Sequence, residues 1–300
     1  KHHSVVVSDT YIFSPSLINT FHWGWIKDYF IDGETTDGFT PVRGEEAVAA
    51  IGLQGVNPKG LSGAGFPRMN FTGLQSIFAN PGGVNLDQHH FEFADSMVWS
   101  KGSHVFKFGA ELRTFWDHVN QTKANTFGQF TFDGRFTGEP YADFLLGIPA
   151  TSQRLDDLPE RTRTAYELGL FIQDTFKISR KLTLDYGLRW DYFRHAVYKD
   201  ELQYNWDPAT GNVVVPQGKR SAVSPLYDPR ITVVEGQVFP NPAKDNFRPR
   251  VGVAYRLTDT FVLRGGYGMF SEALGILHRS QGTGPFEITE SYINQISGGQ

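Results

Sequence analysis

The sequence contains no cysteine, which excludes disulfide scaffolds, thiolate metal sites and cysteine nucleophiles. It has no surplus of basic residues. Its 28 Lys and Arg face 32 Asp and Glu, a net charge of −4, so an electrostatic nucleic-acid binder is excluded. Charged residues make up only 20%, too few for a chain kept unfolded by its own charge. No apolar run approaches the ~18 residues that a membrane-crossing helix needs. Helical periodicity is nearly absent, and its best candidates are two short stretches, Glu45–Ile51 and Ala142–Leu146. Position 1 is Lys, and the run Val5–Val7 is far shorter than the apolar centre of a signal peptide. The expectation is therefore an internal piece of a longer polypeptide.

Glycine and aromatics are abundant: 32 Gly, 25 Phe, 12 Tyr and 6 Trp in 300 residues. They fall in a period of two, the strand signature. In HVFKFGAELRTFW (104–116), Phe106, Phe108, Ala110 and Leu112 share one parity, and Lys107, Gly109, Glu111 and Arg113 the other. In LTLDYGLRWDYF (182–193), Leu184, Leu188 and Trp190 alternate with Asp185, Gly187, Arg189 and Asp191. The stretches 167–176, 249–257 and 261–270 repeat the pattern. The mean hydropathy of −0.33 suits a soluble protein, but it also suits strands with one greasy and one wet face. Alternation alone does not separate the two, so the connections carry the argument.

Very short turns (Ser14-Pro15-Ser16, Lys101-Gly102-Ser103, Ser179-Arg180-Lys181 and Thr258-Asp259-Thr260) alternate with long stretches rich in Gly, Pro, Asn and Asp, near 30–88, 118–162, 196–246 and 272–300. Strict alternation puts every short turn on one side of a sheet and every long loop on the other. That asymmetry belongs to outer-membrane barrels, with short periplasmic and long extracellular connections. The fold class expected is all-β, an antiparallel transmembrane β-barrel of which this chain supplies about eight strands, near 4–13, 17–29, 89–100, 104–117, 163–178, 181–194, 248–257 and 260–271. Aromatics flank an aliphatic zone: Phe13, Trp99, Phe176 and Phe261 near the turns; Trp25, Tyr29, Phe30, Phe115, Trp116, Trp190, Tyr192, Phe193, Tyr267 and Phe270 at the far ends. Two such girdles mark the membrane interfaces. Asp95 and Asp174 break the pattern by falling on the apolar parity; closeness to a turn or a β-bulge are the two readings.

The stretches FEFADSMVWSKGSHVFKFGAEL (91–112), FTFDGRFTGEPYADFLLGIPA (130–150), LGLFIQDTFKISRKLTLDYGLRWDYF (168–193), WDPATGNVVV (206–215) and NFRPRVGVAYRLTDTFVLRGGYGMF (246–270) resemble the barrel of TonB-dependent receptors, in particular the Oar-like group. Residues 3–30 resemble the family's strand, Ser-Pro-Ser turn, strand element. The resemblance implies a barrel of about 22 strands, filled by an N-terminal plug and driven by the inner-membrane TonB complex. This chain would be roughly a third of that barrel, without the plug or the TonB-contacting box. The partners implied are TonB through that missing region, the plug and the rest of the barrel, outer-membrane lipid or lipopolysaccharide, and an unknown extracellular ligand.

Catalytic chemistry is not expected. Gly265-Gly266-Tyr267-Gly268 lacks the Lys and Ser/Thr of a phosphate loop, and Gly60-Leu61-Ser62-Gly63 misses the nucleophile-elbow spacing. The pairs His2-His3 and His89-His90 would point to opposite faces of a strand. Asp156, Asp157 and Glu160 lack EF-hand spacing. No cofactor or metal ligand set is proposed. The polar parity instead gathers Glu111, Arg113, Asp185, Arg189, Asp191, Arg250 and Arg264, together with Lys107 and Arg256. These are candidate contacts to plug, water or passing ligand, with Arg113, Arg189 and Asp191 nearest the outer end. Loop aromatics (Phe66, Phe71, Phe127, Phe132, Tyr204, Trp206) are candidate points of first capture. The function expected is energised uptake through a plugged barrel; the rivals are a non-transporting structural or adhesive barrel and a soluble carbohydrate-binding domain.

Overall fold

Backbone pairing follows the alternating segments closely. In the computed structural model, which describes residues 1–31, 50, 52, 67–76, 84–121, 125, 128–155, 161–272 and 284–295, the strands are β1 (His2–Ser14), β2 (Leu17–Ile31), β3 (Arg68–Phe71), β4 (Val84–Lys101), β5 (His104–Gln121), β6 (Gln129–Phe132), β7 (Thr151–Leu155), β8 (Arg161–Lys177), β9 (Leu182–Tyr198), β10 (Asn205–Trp206), β11 (Val213–Val215), β12 (Val233–Glu235), β13 (Phe247–Arg256), β14 (Val262–Gly268) and β15 (Thr289–Ile293). One helix, α1 (Pro140–Leu145), lies close to the expected Ala142–Leu146. Most of Glu45–Ile51, and Phe66, Phe127, Asp156, Asp157, Glu160 and Gly60–Gly63, lie outside the described residues.

Eight long strands form one antiparallel sheet in the order β1-β2-β4-β5-β8-β9-β13-β14. Each odd connection is a tight turn. At the β4–β5 turn Gly102 adopts φ 60°, the left-handed conformation that a two-residue hairpin demands and glycine supplies without strain. The sheet is open, with β1 and β14 at its edges. Its apolar face is uncovered: Leu188 and Val253 are each 42% exposed, and Phe108 and Leu184 are only half-buried. A soluble sheet would have buried these side chains beneath a second layer.

Register is unbroken at both anomalous carboxylates, so neither sits at a bulge. Asp95 lies between Phe21 and Ala110 and accepts a hydrogen bond from Asn19 Nδ2 (2.7 Å). It is six residues from the end of β4, well up the strand rather than beside the turn. Asp174 lies between Phe106 and Tyr186 and is 4% exposed. Tyr186 Oη donates to its Oδ2 (2.6 Å), and His104 Nδ1 lies 2.7 Å from the same oxygen. The His104 ring stacks between Phe106 and Phe176, so a polar pair and two aromatic rings shield the carboxylate. A bulge does occur near the outer end of β9: Tyr166 pairs with Arg194 and Thr164 with Val197, leaving His195 and Ala196 opposite Ala165. Beyond it the parity of β9 is reversed.

The long connections are more ordered than their composition suggests. Strands β15, β7, β6 and β3, drawn from three different connections, form a four-stranded sheet, and β10–β12 a three-stranded one. The buried apolar residues sit mostly here. Val213, Val215, Val233 and Phe286 form a core with Leu202, Tyr204, Val223 and Tyr227 packed on it. Phe71 and Phe132 are buried and stacked at 5.7 Å, with Phe144 of α1 edge-on to both. Asp143 is fully buried in the same region and accepts from the backbone N–H (2.9 Å) and hydroxyl (2.6 Å) of Thr137, closing the FDGRFTGEPYADF turn on itself. The hydrophobic core of this chain thus lies among its connections, and its long strands expose their apolar face.

Candidate functional site: a charged bay on the polar face

Where β5, β8 and β9 run side by side, register sets Glu111 opposite Gly169 and Gly169 opposite Asp191. Arg189, two residues before Asp191, shares its face. The guanidinium reaches over Gly169 to join the outer two strands: Nε donates to Asp191 Oδ1 (2.7 Å) and Nη2 to Glu111 Oε2 (2.9 Å). A Cβ at position 169 would overlap Nη2, so the missing side chain is what leaves the guanidinium room to lie across this strand. Asp191 is buried, and its second carboxylate oxygen accepts from Ser271 Oγ (2.5 Å). Arg113 lies one step further out, 3.6 Å from Glu92 and 3.8 Å from Glu167, the range of ion pairs rather than hydrogen bonds. Glu111, Arg113, Glu167, Gly169, Arg189 and Asp191, with Phe193, Ser271 and Glu272, line a bay of about 260 Å³. Carboxylates of Glu111, Glu167, Asp191 and Glu272 outnumber the guanidiniums of Arg113 and Arg189, so the bay is acidic.

Of the seven candidates, Glu111, Arg113, Arg189 and Asp191 share this bay. Arg250 borders an adjoining one of about 210 Å³ with Lys107, Glu111 and Arg189, its guanidinium 5.0 Å from the centre of the Phe270 ring. Asp185 stands near the turn end and accepts from Thr175 Oγ1 (2.5 Å). Arg264 is on the edge strand β14, opposite Ala254 and exposed, apart from both bays. Phe115 and Phe193 belong to the polar face, not to the aromatic girdle where the sequence put them: Phe115 packs on His90 and Phe193 lines the bay. Phe71, Phe132 and Tyr204 are absorbed in the packing of the connections, whereas Trp206 is 57% exposed.

One cluster was missed. Asp117 and Arg163 are both buried and paired, with Nε 2.8 Å and Nη2 2.7 Å from Asp117 Oδ2; Gln88 Nε2 donates to the other oxygen (3.0 Å). Carrying the polar parity of β5 two residues past Phe115 would have reached it. Among the described residues no group of three or more His, Asp or Glu is placed to hold a metal ion.

The sequence profile described as "outer membrane beta barrel domain" matches residues 1–300. The chain belongs to that family. Its location is the outer membrane, its apolar face is the lipid face, and its polar face is the lumen side. No curated protein sequence matches the chain. Among solved structures, it is similar to the "Copper transporter OprC", at 11% identity and a TM-score of 0.43, covering 89% of this chain and 31% of that one. It is similar also to the ferric-catecholate import receptor Fiu from E. coli K12, at 11% identity and a TM-score of 0.39, covering 89% and 35%. The chain spans about a third of the length of these structures.

Proposed function

We propose that the chain forms wall strands and outer loops of a TonB-dependent, Oar-like transporter that takes up an unidentified ligand through a plugged barrel. The observation that carries the reading is the paired bay around Arg189. Fixed ionic groups spanning three strands are costly in hydrocarbon and stable beside water or a polar plug. Their excess of carboxylate offers a docking edge to cationic groups of a plug or of a ligand in transit. The five stretches that resemble TonB-dependent receptors add to this reading, as does membership of the outer-membrane barrel family.

In this mechanism no covalent bond is made or broken. The outer loops capture the ligand, TonB draws on the plug at the expense of the inner-membrane proton gradient, and the ligand passes along the wall lined by Glu111, Arg113, Arg189 and Asp191. The test is binding of TonB's purified periplasmic domain to the protein extracted from outer membranes. Stoichiometric co-elution supports the reading. A folded barrel that leaves TonB unbound overturns it in favour of a structural or adhesive barrel.

A further inference from the structure

We infer that the lipid face docks, at mid-membrane height, against the wall of a different outer-membrane protein that presents a lysine or arginine to Asp95. The inference rests on the outer-membrane location and not on transport. Asp95 stands six residues before the end of β4, and each residue rises ~2.5 Å at ~3.3 Å spacing and ~40° tilt. It therefore sits ~15 Å above the turns, well inside an apolar band of ~25 Å and beyond the reach of headgroups on either side.

Both strands beside β4 are present, and they set Phe21 and Ala110 next to Asp95 on this face. Its carboxylate is exposed. Asn19 Nδ2 donates to one of its oxygens (2.7 Å) and to Ser96 O (3.3 Å), which uses both amide hydrogens and leaves acceptors at the spot. Asp174 on the same face is treated in the opposite way: His104 and Tyr186 close it off to 4% exposure. Acyl chains offer an open carboxylate no hydrogen-bond donor, so the donor that meets Asp95 at this depth comes from protein.

Beside Asp95 the face has a hollow of about 460 Å³. Ala110 leaves the space, Met97, Phe108, Leu170, Ile172 and Leu188 stand around it, and Asp95 is the one ionisable group in its lining. A long side chain with an aliphatic stem and a cationic end suits this shape: the stem fills the hollow and the end pairs with the carboxylate. A second copy of the chain does not supply that cation. A two-fold contact through the patch would bring Asp95 towards its own mate, and Asp9, in the same row beyond Phe21, would add to the repulsion. The strand cations of this face stand at other heights, Lys101 at the turn, Lys27 ten residues beyond the start of β2 and Arg194 twelve beyond the start of β9.

The test puts the photo-reactive residue p-benzoylphenylalanine in place of Ile172, inside the hollow, in the full-length protein in its native outer membrane, and irradiates intact cells. A protein adduct should form, and peptide mapping should place it on a membrane strand of another protein, beside a lysine or arginine. Asp95→Asn keeps the side-chain shape and the contact to Asn19 but removes the charge, and it should lower the adduct yield about tenfold, with heat-modifiable gel mobility reporting the fold. Asp95→Glu should keep the adduct. Should Asp95→Asn not fold, Ala110→Phe, which fills the hollow and leaves the carboxylate, carries the measurement and should abolish the adduct. Labelling of lipid alone, an adduct to a second copy of this chain, an adduct away from any lysine or arginine, or a yield unchanged in the folded variants overturns the inference.

Discussion

The guanidinium of Arg189 rests on Gly169, and that absence of a side chain lets one arginine tie Glu111 to Asp191 across three strands. Glycine in a strand usually costs stability; here it opens a slot in the wall. Gly169→Val should push the guanidinium aside and break both contacts, each a hydrogen bond to a charged group worth about 1.5–3 kcal/mol. The expected outcome is a barrel that inserts normally but unfolds at lower urea concentration. Arg189→Met, which removes the cation as well, should not be additive with it. Full additivity would show that the two residues act separately.

The lipid face predicts a sharp asymmetry between neighbouring positions. Leu188 is 42% exposed and six residues above its turn, near mid-bilayer. Leu188→Arg should cost about 2–4 kcal/mol in a bilayer. Gln173→Arg, on the lumen side of β8, should stay within about 0.5 kcal/mol. Urea titration of the two variants in phospholipid vesicles reads the difference directly, and equal costs would contradict the assignment of faces.

The connections have a core of their own, so they should be separable from the barrel. Phe286 is 4% exposed against Val213, Val215 and Val233. Phe286→Ala should destabilise that layer by about 3–5 kcal/mol. Protease sites within 199–246 should open while the strands keep their heat-modifiable mobility. Loss of barrel mobility in the same variant would mean that the strands depend on the layer.

Acid should loosen one edge of this layer. Burial tends to raise the carboxyl pKa of Asp200, but hydrogen bonds from Arg161 (2.7 and 2.9 Å) and from the Leu202 N–H (2.9 Å) outweigh it and hold the group below the usual carboxylate range. Because the folded pKa is the lower one, the stabilisation is complete above the ordinary value near ~4 and disappears as pH falls through the folded value. Pepsin should therefore cut within 199–246 faster at pH ~3 than at pH ~5, beyond pepsin's own pH dependence on an unfolded control. Asp200→Asn should lose that difference; a variant as acid-sensitive as the parent would place the switch elsewhere.

The long strands, their faces and their short turns were legible in the sequence. A period of two is a local property, set by which way successive side chains leave the backbone. The parity of Phe106, Phe108 and Leu112 against Lys107, Glu111 and Arg113 needs no distant information. The glycine and proline that make a two-residue turn are equally local.

What meets what was decided only in three dimensions. Register across strands 20 to 80 residues apart brings Glu111, Gly169, Arg189, Asp191 and Ser271 into one bay and leaves Arg264 outside it. The bulge at His195 reverses parity without a mark in the alternation, so the lumen-side place of Tyr198 could not be read ahead of the structure. The connections looked shapeless because their strands are only two to five residues long, and β3 and β15 find their partners in another connection. Nearest-neighbour chemistry settles the direction of each side chain. Contacts between remote segments depend on pairing free energies that no short window of sequence contains.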